Sequence, residues 1–595
     1  MLKLKCTICE RFCKIPEGRS GACGLYLNQG NEIVERYPNR YLITTPISIE
    51  TMPMLHYYPG NKFLQVSTAG CNFSCSGCIS TVIAKEMEAN SKALRYMEPE
   101  EVVAMAKKQE CLGITFLIND PLASFITFTR LAQAAKKAEL LVGCSSNTYF
   151  SEESLASIIP YLDFINIGSK GLSDETYRRC GGNSVAPVLR NLKTLYNSGV
   201  HVEVSCILEN DNKQELLQLA QIISDTSIAI PLQVMRFIPF EDADPEREIS
   251  IQEAEEFLLE VKQYLPYVYL FNSPGTSYLN TPCPQCDSTL YRRDFYGPMG
   301  AKLKNLSEIH KAAGFCPHCG QASPIGNGAP ADPYQEGGFE GGYPFTRALE
   351  MIQAILITLG VEEKGEVAKV WEEVLKEQRL QELHHQVQNP QSYLALVRRY
   401  GQMAGRSLQA EALAGYMEEK IALIEAGYPR IKRRSRVYYC MGKPLFAIKG
   451  ERLENQLVEA AGGCSVNKEI AIEGRPGETL TPTELMTLNP EVVFISAFIS
   501  TPVESFYQSC KENSIDIPAI RDKRVYLHPS PSWDFGNPRW ILGLMNMANL
   551  LHPDIYHFDI EEESRHFYRE FYQTDYEPSA INRSFSKPTI YWSWR

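Results

Sequence analysis

The sequence predicts an α/β protein: a partial (β/α) TIM-type barrel with cysteine-rich metal-binding flanks, followed by a smaller α/β domain with a long backbone helix. Two observations support this prediction. Through residues 63–271, short β-rich runs alternate with amphipathic helical stretches, which is typical of parallel βαβ units. The chain also has 595 residues, which is too long for a single hydrophobic core, so more than one domain is expected.

The barrel is predicted to contain seven strands and five intervening helices. The seven strands are expected at residues 63–67, 113–118, 141–146, 164–167, 201–207, 232–238 and 268–271. Apolar residues recur at helical spacing between them, at 100–110, 122–138, 185–198, 213–225 and 251–264. Right-handed crossovers between parallel strands favour a barrel, and barrels of this type place their chemistry in loops at the carboxyl ends of the strands. The loop after the first strand, residues 68–80, is therefore the expected centre of a functional site.

The second half of the chain begins after a Gly- and Pro-rich stretch that lacks apolar periodicity and predicts a linker. A long helix is predicted at 396–427, with Leu413, Met417, Ile421 and Ile424 on one face. Strands at 437–441, 492–496 and 525–528 then alternate with helices at 453–461, 483–488, 502–513 and 536–551. The predicted divisions are 1–60 (cysteine-rich segment), 61–275 (barrel), 276–326 (four-cysteine knuckle), 327–343 (linker) and 344–595 (C-terminal domain).

Composition narrows the classes of partner. The net charge is −12, and an acidic chain is a poor general binder of nucleic acid or anionic membranes, which require an excess of Lys and Arg. The first residues lack the apolar core of a secretory signal, and no apolar stretch is long enough to span a bilayer. We therefore expect a cytoplasmic protein without a nucleic-acid or membrane partner.

Eighteen cysteines are unusual for a chain kept in a reducing compartment unless they bind metal. Eleven of them fall into three tight groups, whereas the other seven are scattered singly, as buried thiols usually are. The single cysteines are Cys111, Cys144, Cys180, Cys206, Cys440, Cys464 and Cys510.

The central group has the spacing C-x3-C-x2-C, formed by Cys71, Cys75 and Cys78. A short loop with this spacing can wrap three thiolates around one corner of a [4Fe–4S] cluster, and because cubanes commonly take four cysteines, the fourth iron remains open to another ligand. The alternatives are a zinc knuckle or three buried thiols. The position of the loop, directly after a strand that opens a barrel, favours the cluster.

Two accessory groups each contain four cysteines. For the N-terminal group, zinc and an auxiliary iron–sulfur cluster are equally compatible with the spacing, because thiolates suit both. For the second group, two C-x2-C knuckles favour structural zinc or a rubredoxin-like iron, with a redox cluster as the alternative. The groups are Cys6, Cys9, Cys13 and Cys23, and Cys283, Cys286, Cys316 and Cys319.

These three groups, in this order, resemble radical S-adenosylmethionine (SAM) enzymes, in particular the radical SAM family of the AmmeMemoRadiSam system, which is related to pyruvate formate-lyase activating enzyme. The likeness covers about residues 6–326 and rests on Tyr58-Pro59-Gly60, the run 67–73, Asn119-Asp120-Pro121, the run 146–149, the run 166–171 and the run 236–239. The resemblance implies that the open iron chelates SAM and that reductive cleavage yields methionine and a 5′-deoxyadenosyl radical. It also implies a SAM pocket lined by Asn119, Asp120, Asn147, Lys170 and Arg236.

Two positions depart from the family pattern. Asp120 replaces a glutamate, and Gly168-Ser169-Lys170 replaces an Asp-Leu-Lys sequence. A shorter carboxylate still accepts hydrogen bonds from the SAM amino group, but from a shifted position. The loss of the second acid indicates altered SAM handling or a different substrate.

The C-terminal half resembles the single-helix periplasmic binding proteins that carry iron-siderophore and cobalamin complexes. The likeness begins at the helix 396–427 and continues through 437–439, 456–463, 488–496 and 524–526, whereas the first lobe is shortened. It implies a ligand that is a metal chelate. Contacts to a large flat ligand are predicted for four residues of a Pro/Ser/Gly-rich loop, with aromatic packing as the alternative: Trp533, Asp534, Arg539 and Trp540.

Three functions are compatible with these patterns. The first is a radical SAM enzyme acting on a small or metal-chelate substrate, such as a tetrapyrrole or corrinoid, that the C-terminal domain binds. The second is an activase that places a glycyl radical on a partner protein. The third is a non-catalytic chelate carrier or sensor. The enzymatic functions require an electron donor such as flavodoxin or ferredoxin.

Overall fold

The computed structural model describes residues 3–239, 244–304, 314–325, 327–377, 380–472, 476–496, 498–499, 501–530 and 533–576. The chain forms two compact units. Unit 1 comprises Met1–Phe237, Glu253–Asn272 and Ser277–Thr346, and unit 2 comprises Ile238–Gln252, Ser273–Thr276 and Arg347–Arg595. Every helix in the described parts of the chain is too short or too polar to cross a bilayer.

Unit 1 is built on one eight-stranded sheet flanked by helices. The strands of unit 1 are β1 (Lys3–Lys5), β2 (Lys14–Pro16), β3 (Tyr26–Gln29), β4 (Glu32–Glu35), β5 (Arg40–Tyr41), β6 (Ile43–Ser48), β7 (Lys62–Ser67), β8 (Arg95–Tyr96), β9 (Gly113–Phe116), β10 (Leu141–Ser146), β11 (Phe164–Gly168), β12 (His201–Leu208), β13 (Leu232–Arg236), β14 (Val268–Phe271), β15 (Thr281–Pro282), β16 (Thr289–Tyr291), β17 (Arg293–Phe295) and β18 (Ala301–Leu303). The helices in this part of the chain are α1 (Pro99–Lys108), α2 (Phe125–Lys137), α3 (Glu152–Ile158), α4 (Asp174–Arg179), α5 (Ala186–Asn197), α6 (Lys213–Thr226) and α7 (Ile251–Val261).

The large sheet has the order β14-β13-β12-β11-β10-β9-β7-β6, and every neighbouring pair from β7 to β14 is parallel. This order follows the chain, as expected for successive βαβ units wound in one direction, and it confirms the predicted partial barrel. The central strands read as apolar runs buried on both faces. Gly143 in β10 is required by packing, since a Cβ there would lie 2.1 Å from the ring of Phe164 in β11.

The sequence prediction missed strand β6, which pairs antiparallel with β7 at the edge of the sheet. Pro46 lies in the middle of β6 and cannot donate a ladder hydrogen bond, so the run does not read as a strand by pattern. An edge position tolerates this proline because one side of the strand has no partner. The short helices α3 and α4 were also not predicted; each is capped by a serine, Ser151 or Ser173.

The segment predicted as a linker, 327–343, contributes buried contacts to unit 1. The carboxylate of Glu336 accepts hydrogen bonds from Thr51 and from the backbone of Ser48, and it pairs with the ammonium group of Lys302. The backbone N–H of Gly342 donates to Gln65 of β7 at 2.8 Å. Removing one partner of a buried charge pair is strongly destabilising. These buried contacts therefore hold the segment around Glu336 in place within unit 1.

Unit 2 is an α/β assembly around a six-stranded sheet of order β22-β20-β19-β23-β24, with β21 paired to β19. Its strands are β19 (Arg436–Cys440), β20 (Phe446–Ile448), β21 (Cys464–Ser465), β22 (Gly477–Thr479), β23 (Val492–Ile495) and β24 (Val525–Leu527). The remaining helices are α8 (Tyr343–Thr358), which begins at the end of unit 1, α9 (Lys364–Lys376), α10 (Leu380–Gln386), α11 (Pro390–Met403), α12 (Ser407–Glu425), α13 (Leu453–Ala460), α14 (Pro482–Leu488), α15 (Val503–Glu512), α16 (Pro518–Arg521), α17 (Trp540–Leu551) and α18 (Ile560–Tyr572).

Residues 396–427, predicted as one long helix, form parts of two helices instead. Helix α11 ends at Met403 and α12 begins at Ser407. Gly405 between them has φ +66°, and the N–H of Arg406 donates to the carbonyl of Gly401, which is how a left-handed glycine commonly ends a helix. The predicted apolar face of the second helix is nevertheless buried, with Leu413 and Met417 fully enclosed.

The loop residues predicted to contact a flat ligand lie in the interior of unit 2. Trp533, Asp534, Arg539 and Trp540 are each at most 1% exposed. The hydroxyl of Tyr439 donates to Asp534 at 3.1 Å, and the guanidinium of Arg539 donates to Tyr568. This burial favours the packing interpretation of these side chains.

Candidate active site and accessory cysteine sites

The C-x3-C-x2-C loop follows β7 at the carboxyl end of the sheet. Gly70 has φ +90°, a left-handed conformation that only glycine adopts readily, and a Cβ there would lie 2.9 Å from Leu25. The chain then turns so that the N–H of Phe73 donates to the sulfur of Cys71 at 3.4 Å. Burial and then the neighbouring Asp120 raise the pKa of Cys71, and the nearby Cys75 and Cys78 raise it further. The three thiols therefore face a common region.

Two lysines lie near these thiols. Burial lowers the pKa of Lys170, but the neighbouring Cys75, Cys180 and the other loop thiols raise it more, so its pKa is above the ordinary value and it remains charged. A hydrogen bond with Cys180 and then burial raise the pKa of Cys75, and burial raises that of Cys78. Lys170 and Lys85, which lies in the helical turn Val82–Glu86 after the loop, both oppose these rises. The positive charges partly offset the thiolate charge that a metal cluster would require.

Asn119 and Asp120 follow β9 and brace the loops around the thiols. The side chain of Asn119 accepts from the N–H of Thr68 at 3.0 Å and donates to the carbonyl of Gly70 at 3.1 Å, so it holds the start of the cysteine loop. The carboxylate of Asp120 accepts from the backbone N–H of Asn147 at 2.6 Å and from the hydroxyl of Ser146. It also caps the following turn through Leu122.

Asn147, at the end of β10, connects Asp120 to the cysteine loop. Its amide nitrogen donates to Asn72 at 2.7 Å and lies 4.0 Å from the sulfur of Cys71. Burial raises the pKa of Asp120, and the hydrogen bonds from Asn147, Leu122 and Ser146 oppose that shift. These residues form one hydrogen-bonded network at the ends of β9 and β10, which fixes the orientation of the loop.

Arg236 is the last residue of β13 and is fully buried. Its guanidinium donates to the carbonyl of Asn272 at 3.1 Å, and the amide of Asn272 donates back to the carbonyl of Arg236 at 2.8 Å. The structure thus places all five residues predicted for the SAM pocket at or just after the carboxyl ends of four strands. Asp120 and Asn147 are joined by a hydrogen bond, Asn119 precedes Asp120 in the chain, and Lys170 lies beside the thiols.

Comparison with known proteins bears on this geometry. Residues 66–223 match the model of the Radical SAM superfamily, and this range contains the three loop cysteines. They form a radical SAM domain. A relative from Methanocaldococcus jannaschii, an uncharacterized protein, is 28% identical over 321 residues, which is 53% of this chain and 94% of that protein.

Several solved structures resemble part of the chain. A periplasmic solute binding protein from Veillonella parvula has 22% identity and a TM-score of 0.30, covering 34% of this chain and 64% of its own. An ABC transporter solute binding protein from Sulfurospirillum deleyianum has 23% identity and a TM-score of 0.29, with coverage of 33% and 62%. The molybdate periplasmic binding protein MolA of Haemophilus influenzae has 18% identity and a TM-score of 0.28, with coverage of 36% and 64%. This chain spans less than two thirds of each, and these scores are too low to assign it a ligand.

A radical SAM domain uses a [4Fe–4S] cluster and SAM, and the residues of the loop fit the cluster. Cys71, Cys75 and Cys78 supply three thiols, which leaves one iron of a cubane for another ligand.

Cys180, which was predicted to be a scattered buried thiol, lies next to this loop. Its sulfur takes part in a hydrogen bond with Cys75, which lowers the pKa of Cys180 to about 7. The carbonyl of Cys180 also accepts from the N–H of Ser74 at 2.9 Å. More than a hundred residues separate Cys180 from the loop, so no spacing rule indicated the contact; only the return of the chain through α4 creates it.

The second accessory group forms a compact site. The sulfurs of Cys283 and Cys319 are 3.6 Å apart, those of Cys286 and Cys316 are 3.7 Å apart, and all four lie within 4.8 Å of one another. A tetrahedral ion with bonds of about 2.3 Å to sulfur requires separations of about 3.8 Å. A hydrogen bond with Ser288 lowers the pKa of Cys316 to about 6, which favours the thiolate form. The donors therefore fit one tetrahedral metal ion.

The N-terminal group is arranged differently. Cys6, Cys9, Cys13 and Cys23 line a small cavity of about 10 Å³ that is partly open to solvent, and Asn72 of the central loop lines the same cavity. Burial raises the pKa of Cys6 to about 11 and that of Cys9 to about 12. The group therefore lies directly beside the loop of the radical SAM domain.

Proposed function

We propose that this chain is an enzyme that reductively cleaves SAM at a cluster held by Cys71, Cys75 and Cys78. The observation that carries this proposal is the three-thiol loop at the carboxyl end of the sheet, which Asn119 holds through Thr68 and Gly70 and Asn147 holds through Asn72. Three protein ligands leave one coordination position for a substrate or cofactor, as in other catalytic metal sites.

When bound, the cluster and SAM supply a 5′-deoxyadenosyl radical, which removes a hydrogen atom from the substrate. The residues of the chain position the cysteine loop and offset the negative charge of its thiolates. Asn119 holds the first residues of the loop through Thr68 and Gly70, so the cysteines keep one orientation. Lys170 remains charged beside the thiols and offsets their negative charge. Asp120 and Asn147 present polar groups at the ends of adjacent strands, where they would contact the SAM amino and carboxylate groups.

We further propose that unit 2 binds the substrate, a small molecule or metal chelate of the tetrapyrrole or corrinoid class. The support is the sequence resemblance of residues 396–526 to proteins that bind iron-siderophore and cobalamin complexes. A binding domain on the same chain raises the effective concentration of its ligand at the enzyme without any new contact. An external one-electron donor of the flavodoxin or ferredoxin class supplies the electron for each cleavage.

The proposal is tested by anaerobic reconstitution of the full chain with iron, sulfide and SAM, followed by reduction with dithionite. We expect 5′-deoxyadenosine from the wild type and none from Cys71→Ala, since two thiols cannot hold the cubane. Cys111→Ala is the matched control, because this buried thiol lies outside all three groups. Wild-type protein that holds a cubane but produces no 5′-deoxyadenosine would refute the proposal.

The substrate class is tested by titrating the full chain with haemin and with cobalamin and measuring absorption spectra. Saturable spectral shifts, together with faster 5′-deoxyadenosine formation, would support a chelate substrate. SAM cleavage that responds to neither chelate but yields a glycyl radical in a partner protein would indicate an activase. Chelate binding without SAM cleavage would indicate a carrier or sensor.

A further inference from the structure

Cys180 touches the cysteine loop although it belongs to none of the three cysteine groups. Its sulfur forms a hydrogen bond with the sulfur of Cys75. Beside this contact, the N–H of Ser74 donates to the carbonyl of Cys180 at 2.9 Å, so the two backbones are held together as well. A main-chain hydrogen bond one residue away therefore supports the contact between the two sulfurs.

The end of helix α4 keeps Cys180 in this position. The N–H of Cys180 donates to the carbonyl of Thr176, which closes the last turn of the helix. Gly181 then adopts φ +93°, and the N–H of Gly182 donates to the carbonyl of Tyr177 at 2.8 Å. This is the Schellman arrangement, in which a left-handed glycine ends a helix and satisfies its last carbonyls. The helix end that carries Cys180 therefore has a defined geometry.

Aromatic packing joins the same helix end to the cysteine loop. A Cβ on Gly182 would lie 3.2 Å from the ring of Phe73, which is a residue of the loop. The rings of Phe73 and Tyr177 pack edge to face with their centroids 6.1 Å apart, and Tyr149 stacks on Tyr177 at the same distance. The hydroxyl of Tyr149 accepts from the N–H of Asn183 at 2.8 Å. The loop and the helix end are thus packed against each other on both sides of the sulfur contact.

Iron binding determines which of the two sulfurs donates. The thiolate is the form of cysteine that binds a metal, so Cys75 can only accept a hydrogen bond once it is a cluster ligand. The S–H group of the pair then belongs to Cys180. Hydrogen bonds to the ligand sulfurs help to set the reduction potential of an iron–sulfur cluster, because they stabilise the reduced form, which carries one more negative charge.

We propose that Cys180 is a positioning residue that donates a hydrogen bond to the cluster ligand Cys75 and thereby raises the reduction potential of the cluster. This role rests on the proposed function, which places a cluster on the cysteine loop. One electron from the external donor takes the cluster from the 2+ to the 1+ state, the donor is oxidised by one electron, and no bond forms or breaks. The hydrogen bond favours the 1+ state, so reduction requires a less powerful donor.

The role of Cys180 is tested by anaerobic potentiometry of the reconstituted full chain. The reduced cluster is measured by the electron paramagnetic resonance signal that Cys71→Ala lacks. At a fixed potential, the ratio of reduced to oxidised cluster should fall at least about threefold in Cys180→Ala, because the reduced form loses its hydrogen bond. Cys180→Ser keeps a donor at this position and should recover most of the loss. An unchanged ratio in Cys180→Ala, or an equal fall in Cys180→Ser, would overturn the proposal.

The matched control is Cys206→Ala. Cys206 in β12 is another single thiol of the barrel and is 3% exposed, so its removal reports the effect of a lost buried sulfur alone. This variant should keep the wild-type ratio, and an equal fall in it would overturn the role of Cys180. Formation of 5′-deoxyadenosine by the wild type decides the proposed function separately. If it forms while Cys180→Ala keeps the wild-type ratio, the role of Cys180 is wrong and the proposed function stands.

A measurement on the wild-type chain without a cluster tests the sulfur contact itself. Diamide should join Cys75 to Cys180 in a disulfide, because the two sulfurs are already in contact. The two thiols lose two electrons and two protons, which the diazene bond of diamide accepts as it becomes a hydrazine. Mass spectrometry of peptides should find Cys75 linked to Cys180. Links from Cys75 to the other loop cysteines, with none to Cys180, would overturn the proposal.

Discussion

The two accessory sites of unit 1 contain the same four thiols but arrange them differently. In the Cys283 group all sulfurs lie within 4.8 Å of one another, whereas the four N-terminal cysteines line a small, partly open cavity of about 10 Å³. Their sequence spacings leave the bound metal undecided in both cases. The packing of the surrounding chain therefore arranges the same number of cysteines in two different ways.

The compact arrangement has a local cause. Each C-x2-C knuckle closes with a backbone hydrogen bond to the carbonyl of its first cysteine, from Asp287 to Cys283 and from Gly320 to Cys316. Asp287 and Gly320 both adopt left-handed conformations directly after the second cysteine of their knuckle. Two equivalent turns therefore bring four sulfurs to one point. The N-terminal group has only one C-x2-C pair, so its other two ligands come from separate turns.

The largest expected effect comes from removing the ion of the compact site. In Cys283→Ser/Cys316→Ser, the loss of a structural metal ion that contributes on the order of 10 kcal/mol to folding should unfold the knuckle. Metal analysis should show the loss of one ion per chain with the cubane iron unchanged, and limited proteolysis should cleave near residues 283–325. Loss of four irons instead would show that the Cys283 group holds an iron–sulfur cluster, which contradicts a single ion.

Exposure to air should next separate the Cys283 site from the cluster proposed at Cys71, Cys75 and Cys78. A partly open iron–sulfur cluster is sensitive to oxidation, whereas a tetrathiolate zinc site contains no redox-active metal. We expect wild-type protein in air to lose iron and sulfide while it keeps one ion in the Cys283 group, as measured by elemental analysis after desalting. Equal retention of metal at both sites would contradict the comparison.

Gly70→Ala gives an intermediate effect and tests how the cysteine loop depends on the N-terminal segment. The substitution forces a side chain into a left-handed conformation and against Leu25, which should cost about 1–3 kcal/mol of stability. We expect a lower denaturation midpoint and a weaker SAM-dependent signal at unchanged iron content. Gly199→Ala is the matched control, because Gly199 is also left-handed but its Cβ would meet no atom within 4 Å. Equal effects of the two changes would exclude a role for the Leu25 contact.

The smallest expected effect is the pH dependence of stability that arises from His56. Burial lowers the pKa of His56 from 6.5 to about 3, and its ring lies 2.6 Å from the hydroxyl of Tyr269. Below pH 6.5 the unfolded chain binds a proton that the folded chain does not, so stability falls as the pH falls from 6.5 to 3.

At pH 5.5 the loss from His56 should be about 1.4 kcal/mol, measured by denaturant unfolding. His56→Gln should lose less stability between pH 7 and 5.5 than the wild type. If the stability of His56→Gln falls as steeply with pH as that of the wild type, His56 is not the source of this pH dependence.

The barrel could be predicted from sequence because its strands are buried on both faces and its helices are amphipathic. Strands β10 and β14 were predicted with their observed bounds, and the other predicted barrel strands were placed to within about two residues. The edge strand β6 was missed because it contains Pro46, a residue that is unusual inside a strand. In unit 2, one left-handed glycine, Gly405, divides a helix whose apolar period continues across the break.

The candidate site was predictable only in part. Spacing identified the three cysteine groups, and the family resemblance identified the polar residues at the strand ends. The contact between Cys180 and Cys75 and the link from Arg11 to Asn72 depend on how distant segments pack. No local pattern encodes such contacts, because each arises from elements that meet only in the folded chain.

The most direct test of the central claim is the electron paramagnetic resonance spectrum of the reduced Cys6→Ser/Cys9→Ser chain with and without SAM. This variant retains Cys71, Cys75 and Cys78 and removes two ligands of the neighbouring group, so the remaining cluster signal belongs to the three-thiol loop. We predict that SAM shifts the g-values of this signal and that 5′-deoxyadenosine accumulates. A cubane signal that SAM leaves unchanged would contradict the assignment of an open iron at this loop.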